Sequence, residues 1–178
     1  MEDTTVDKSG IKAIFYTSNT GFTKKYAEML SKKLDIPAYS MDTSADAEAD
    51  GTEIIYLGWI CAGGIKGYEQ AAKRYQVKAL CGVGLSVDSG RQVDELALHH
   101  KVSESTEVFY LQGGFDMHKL GFVHKLMMKA MRDVVGRSLK KKDDPSQDEI
   151  AAYTLMCKGG ECVDEKALDQ IVEWYHAQ

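Results

Sequence analysis

The residues best suited to chemistry form one short run, Ser18-Asn19-Thr20-Gly21-Phe22-Thr23. It holds three hydroxyl side chains, a carboxamide and a glycine, and no Lys or Arg. Between a strand and a helix start, such a run offers an anion unpaired backbone N–H groups and the positive end of the helix dipole. Gly21 lets the backbone curl close to the anion without steric cost. Loops that hold nucleoside triphosphates carry GK[ST], which is absent here. The composition suits a phosphate monoester bound by neutral donors. The same Ser and Thr residues also suit plain capping of the helix.

Three further loops bear polar, glycine or aromatic residues. Gly58–Gly67 contains Trp59, Ile60, Cys61, Ala62, Gly63 and Gly64. Val87-Asp88-Ser89-Gly90-Arg91 is a turn with polar donors, and Gln112-Gly113-Gly114-Phe115-Asp116 joins two glycines to an aromatic. Cys61 has no His or cation beside it in sequence to activate a thiolate. Cys157 and Cys162 are separated by four residues, a poor match to zinc-ligand pairs, so no metal site is expected. His99 and His100 have no carboxylate at ligand spacing and read as surface or core residues. There is no Ser-His-Asp order and no carboxylate pair that would serve hydrolysis.

The elements that must position these loops alternate. Apolar, β-branched runs at 11–17, 36–41, 53–60, 77–87 and 106–112 read as strands. The run at 53–60 has no polar alternation, as expected of a strand covered on both faces. Helical spacing of Phe22, Tyr26, Met29, Leu30 and Leu34 predicts a helix over 22–34. Further helices are predicted at about 68–75, 91–100, 116–135 and 163–176, with a short helix or loop at 42–51 and a Lys/Asp-rich linker at 138–149. Five strand–helix repeats predict an α/β domain with parallel strands and helices on both faces. In such sheets ligands bind at the carboxyl ends of the strands, where the loops above lie.

The segment YTSNTGFTKKYA resembles the [ST]-x-T-G-x-T fingerprint of the flavodoxin superfamily, with the match on Ser18, Thr20, Gly21 and Thr23. The similarity runs over about 11–176. It implies a flavodoxin-like doubly wound five-stranded parallel sheet of order 2-1-3-4-5, and FMN as cofactor. In flavodoxins the first loop wraps the FMN phosphate, which assigns Ser18, Asn19, Thr20, Gly21, Phe22 and Thr23 to it. The isoalloxazine ring needs a flat partner and backbone groups near N5. Trp59, Ile60, Cys61, Ala62, Gly63 and Gly64 correspond to the loop that supplies them, with Gly63 or Gly64 at the peptide that flips on reduction. Trp59 either stacks on the ring or is a half-buried core aromatic. Asp88 and Ser89 correspond to the loop on the other side of the ring, where flavodoxins place a Tyr or Trp and this chain has neither. Gly114 and Phe115 lie at the same edge; Phe115 either covers the ring or serves as a contact at the helix entry.

YLQGGFDMHKLGFVHKLMMKAMRDVVG departs from short flavodoxins and is similar to the helix inserted between the fifth strand and the last helix in the menaquinone-dependent protoporphyrinogen dehydrogenase branch. The inserted helix and basic linker are expected to occupy about 116–149. Residues 118–142 carry a net charge of +7, against −12 for the rest of the chain. Projected at helical spacing, Lys125, Lys129, Arg132 and His118 share one face, opposite Val123, Leu126, Met127, Ala130, Met131 and Val134. Such a helix either packs on its own core with a solvated basic face or lies on an anionic membrane or hydrophobic acceptor.

Length and composition suit one domain, 1–178, with a polar, flexible N-terminus at 1–10. MEDTTVDKSG lacks the apolar core of a signal peptide, which points to the cytoplasm and reduced cysteines. An acidic body argues against nucleic-acid binding. Three functions remain open. The first is an FMN electron carrier between a redox partner protein or small acceptor such as a quinone and its donor. The second is an FMN-dependent oxidoreductase acting on a porphyrinogen or quinone, with peripheral membrane contact through 118–135. The third is a flavin-free binding module. Fold alone does not choose among them.

Overall fold

A computed structural model describes residues 10–87 and 90–178. Residues 1–9, expected to be a flexible terminus, and the site candidates Asp88 and Ser89 lie outside the described residues.

In chain order the main elements are β1 (Ala13–Thr17), α1 (Phe22–Leu34), β2 (Ala38–Ser40), α2 (Met41–Ser44), β3 (Glu53–Cys61), β4 (Gly64–Ile65), α3 (Tyr68–Ala72), β5 (Gln76–Gly84), α4 (Arg91–His100), β6 (Glu107–Gln112), β7 (Gly114–Phe115), α5 (Phe122–Lys141), α6 (Gln147–Lys158), β8 (Gly160–Glu161) and α7 (Asp169–His176). Five long strands pair in parallel in the order β2-β1-β3-β5-β6. This is the expected order. The numbers differ because the two-residue β4 intervenes, folding back antiparallel on β3.

Period-2 geometry explains the core. Successive side chains on a strand face opposite sides of the sheet. Ile14, Ile55, Leu57, Ala79, Cys81, Val83, Phe109 and Leu111 face one side and meet α1 and α7 through Tyr26, Leu30, Ile171 and Tyr175. Ala13, Phe15, Ile54, Tyr56, Leu80, Val108 and Tyr110 face the other and meet α2, α3 and α4 through Met41, Tyr68, Ala71 and Leu96. Both faces are apolar, so these strands read as continuous apolar runs. Burial pushes the Cys81 thiol far up, so it packs as a small apolar side chain.

The C-terminal third differs from the reading of its sequence. The helix expected over 116–135 is two elements. A 3-10 turn, Met117–Lys119, is followed by Leu120-Gly121, and α5 runs on to Lys141. His118 therefore sits in an exposed turn and does not share the face of Lys125, Lys129 and Arg132. The expected linker at 138–149 is split between the end of α5 and the start of α6. Helix α6 was not read from the sequence, although Ser146 and Glu149 form a reciprocal capping box at its start. It packs on α5, where a Cβ on Gly136 would stand 2.5 Å from the Tyr153 hydroxyl. The apolar face of α5 is not buried in a core of this chain: Phe122, Val123, Leu126 and Val134 are 60–83% exposed. Among the described residues no helix is long and apolar enough to cross a membrane.

Candidate functional site

The first loop gathers hydrogen-bond donors at a helix N-terminus. Helix α1 starts at Gly21, whose φ of 98° is open to glycine and costly for other residues. No side chain caps the helix from that position. Ser18 does so from three residues back: its Oγ accepts from the N–H groups of Gly21 (3.2 Å) and Lys24 (3.3 Å). Capping thus accounts for Ser18. It leaves the N–H groups of Phe22 and Thr23 without a partner among the described residues. The Asn19 side-chain nitrogen is buried and also has none. Three donors at one helix N-terminus, one of them desolvated, call for an acceptor there.

Those donors open onto a cleft at the carboxyl ends of β1, β3 and β5. Its walls include Asn19, Thr20, Phe22, Thr23, Trp59, Ile60, Cys61, Ala62, Gly114 and Phe115. The cleft is open at its mouth and offers about 130 Å³ to water-sized molecules. A three-ring heterocycle would extend into the mouth. Trp59 is half-buried and meets His124 of α5 edge-on, with ring centroids 5.4 Å apart.

Hydrogen bonds fix the cleft's far wall. The Tyr26 hydroxyl donates to the Gln112 carbonyl (2.6 Å) and accepts from the Asp164 N–H (3.1 Å). Burial raises the Tyr26 phenol above its ordinary value, so it stays a donor at neutral pH. The Gln112 side chain donates to the Leu85 carbonyl and the Tyr110 hydroxyl to the Ser86 carbonyl, which hold the loop after β5. Gly113 is held on both sides, its N–H by the Gly84 carbonyl and its carbonyl by the Cys162 N–H. Strand β7 then pairs with β8. A Cβ on Gly114 would meet the Gly160 carbonyl at 2.5 Å and the Phe22 ring at 2.7 Å, so only glycine lets Phe22 lie against this wall.

Of the other described candidates, Ser18, Gly21, Gly63 and Gly64 are not among the lining residues. Gly63 and Gly64 lie at the tip of the β3–β4 hairpin, against His99 and His100 of α4. Sequence reasoning did not assign Val83, Gly84, Leu85, Leu120, His124 and Met128 to the site, and read Met127 and Met131 only as part of the apolar face of the helix; these residues complete the lining. The first three lie at the carboxyl end of β5, where the strand rule could have found them. The methionines depend on how α5 docks. Among the described residues, no group of three His, Cys, Asp or Glu side chains is placed to hold a metal.

A parallel sheet of this order, with unpaired donors in the first loop and an aromatic beside it at the carboxyl edge, has the flavodoxin-like arrangement. The sequence model of the family described as Flavodoxin domain matches residues 13–142, and the chain belongs to that family, a class of flavin redox proteins. Among solved structures, the flavodoxin, WrbA-like protein from Agrobacterium tumefaciens is 15% identical, aligns with 51% of this chain and 69% of that chain, and gives a TM-score of 0.37. No argument is drawn from so low a score. No relative is found among curated proteins.

Proposed function

We propose that this protein binds FMN non-covalently and carries electrons between a redox partner and a small acceptor such as a quinone. The observation that carries the reading is the trio of unpartnered donors, Asn19 Nδ2 and the Phe22 and Thr23 N–H groups, opening onto the Trp59 cleft. The chain would hold the phosphate there, with Ser18 and Gly21 shaping the loop. Trp59 to Ala62 and Gly114–Phe115 would flank the ring, with Gly63, Gly64, Asp88 and Ser89 as flanking loop residues. When bound, FMN supplies the electron transfer. The protein orients it and excludes water. His124 and Met127 stand in the mouth where the loop after β5 supplies no Tyr or Trp; methionine adapts its shape readily to such a ring.

An absorption spectrum followed by acid release of the chromophore tests this directly. FMN should be released, and flavin-free protein should bind FMN more tightly than riboflavin, because charge-assisted hydrogen bonds contribute about 1.5–3 kcal/mol. Asn19→Ala should weaken FMN about tenfold, the loss of one such bond, and leave riboflavin unchanged. A colourless protein that takes up no FMN would leave the flavin-free binding module as the better account.

A second cavity favours a second reading, an FMN-dependent oxidoreductase of the protoporphyrinogen dehydrogenase type with a quinone acceptor. This space of about 580 Å³ shares Phe22 and Phe115 with the first and is ringed by Lys119, Lys129, Arg132, Lys158 and His118, with Asp116 and Glu161 also on its wall. Its cations suit carboxylates, and the exposed apolar residues of α5 suit peripheral contact with a lipid surface. Porphyrinogen oxidation by FMN-loaded protein with a menaquinone analogue is the expected result; no turnover would return the assignment to a carrier.

A further inference from the structure

The β3–β4 hairpin has two working sides. On one side Trp59, Ile60, Cys61 and Ala62 line the cleft. The hairpin turns at Ala62 and Gly63, with φ of 52° and 80°, the left-handed pair that a two-residue hairpin turn of this hand requires. Ala62 bears a Cβ in that region, so the turn stores strain that its surroundings must hold.

The other side rests on α4. The Ile65 N–H donates to His100 Nε2 at 2.7 Å. The His100 side chain is only 2% exposed, and its Nδ1 lies 3.6 Å from Glu69 Oε1. Tyr68 and His99 pack edge-on against its ring, both with centroids 4.9 Å away. A Cβ on Gly64 would stand 2.8 Å from His99 Nε2, so both histidines press on the hairpin. An imidazole that accepts at Nε2 is neutral, with its proton on Nδ1 facing Glu69. Imidazolium has no acceptor. Protonating His100 therefore requires the Ile65 N–H to let go.

We infer that His100 is a positioning residue for the flavin-edge hairpin, and that taking up a proton releases the hairpin and changes the reduction potential of bound FMN. The flavin half rests on the FMN reading above; the clamp on Ile65 does not. Burial and the neighbouring His99 both lower the affinity of His100 for a proton, while Glu69 opposes them. The charged and titratable groups around it are Glu69 and Tyr68 from α3, His99 from α4, and Cys61 and Lys66 flanking the hairpin tip. Because the native state binds fewer protons at this site, the clamp is fully closed above the ordinary histidine value of about 6.5 and opens as pH falls through the lowered native value of His100.

The test has two arms. In flavin-free protein, NMR follows the His100 titration and the exchange of the Ile65 amide, with the Ile14 amide, bonded to the Pro37 carbonyl, as internal reference. Ile65 should exchange about tenfold faster once His100 is protonated, the loss of one hydrogen bond. His100→Gln keeps an acceptor that does not titrate, so protection should persist at all pH values; His100→Leu should lose it throughout. In FMN-loaded protein, the potential of the wild type and of His100→Gln should agree above pH 7 and diverge in acid, whatever the flavin's own titration contributes to both. Ile65 exchange that ignores the His100 titration would overturn the clamp. Potentials that stay parallel at every pH would overturn its coupling to flavin. Failure to take up FMN, with the Ile65 switch intact, would overturn the flavin reading and support the clamp.

Discussion

The central sheet and the α5–α6 pair are held together by different means. Strands β1, β3, β5 and β6 of the long sheet bury apolar side chains on both faces, under helices on each side. In α5 the one buried residue is Gly136, and in α6 it is Met156. Met127, Met128 and Met131 of α5 line the cleft, and Phe122, Val123, Leu126 and Val134 face solvent. The contrast separates two uses of apolar surface. In the sheet it stabilises this fold. In α5 it is left available to whatever enters or covers the cleft, at the cost of exposed Phe122, Val123, Leu126 and Val134.

The comparison is broken most directly by matched truncations. Leu57 is fully buried, and Leu57→Ala should cost about 2–5 kcal/mol in a urea unfolding curve. Leu126→Ala, at 63% exposure, should change stability by about 0.5 kcal/mol or less. Equal costs would mean that α5 buries its apolar face after all. Next in size is Gly136→Val, which drives a side chain into Tyr153 and should cost about 1–3 kcal/mol. Hydrogen exchange should show that loss in α5 and α6 while β3 and β5 keep their protection; a loss spread evenly over the sheet would show the two regions to be one cooperative unit. A local variant sharpens the same point. Ser146→Ala removes the α6 cap and should cost about 1 kcal/mol, read as local opening of α6 with no change in FMN affinity.

How far each region could be read from sequence follows from how it is held. Helices α1 and α4 lie over 22–34 and 91–100 as expected, because their apolar positions repeat at helical spacing against a sheet that needs them. Strands β1, β3, β5 and β6 were legible as apolar runs, within a few residues at their ends. The two-residue strands β4, β7 and β8 carry no periodicity, and only pairing with a distant partner defines them. Helix α6 has a capping box but almost no buried face, so the strongest helical signal was missing. In the site, the run from Ser18 to Thr23 was legible by composition, yet its division of labour was not. Ser18 caps, while Asn19 is left with an unpaired buried nitrogen, and both outcomes are set by loop geometry. His100 looked ordinary because Glu69 of α3 and Ile65 of the hairpin approach it only through the packing of α4 against both.

The sequence alone determined the parallel α/β sheet and the donor-rich first loop, because period-2 and helical spacing and a glycine-bearing donor run are local properties that any compact fold of this chain must satisfy. Only the tertiary structure decided which side chains close the cleft, what backs the β3–β4 hairpin, and that the apolar face of α5 stays uncovered. Those outcomes depend on contacts between residues far apart in the chain, where packing and unpaired polar groups, rather than local preference, choose the arrangement.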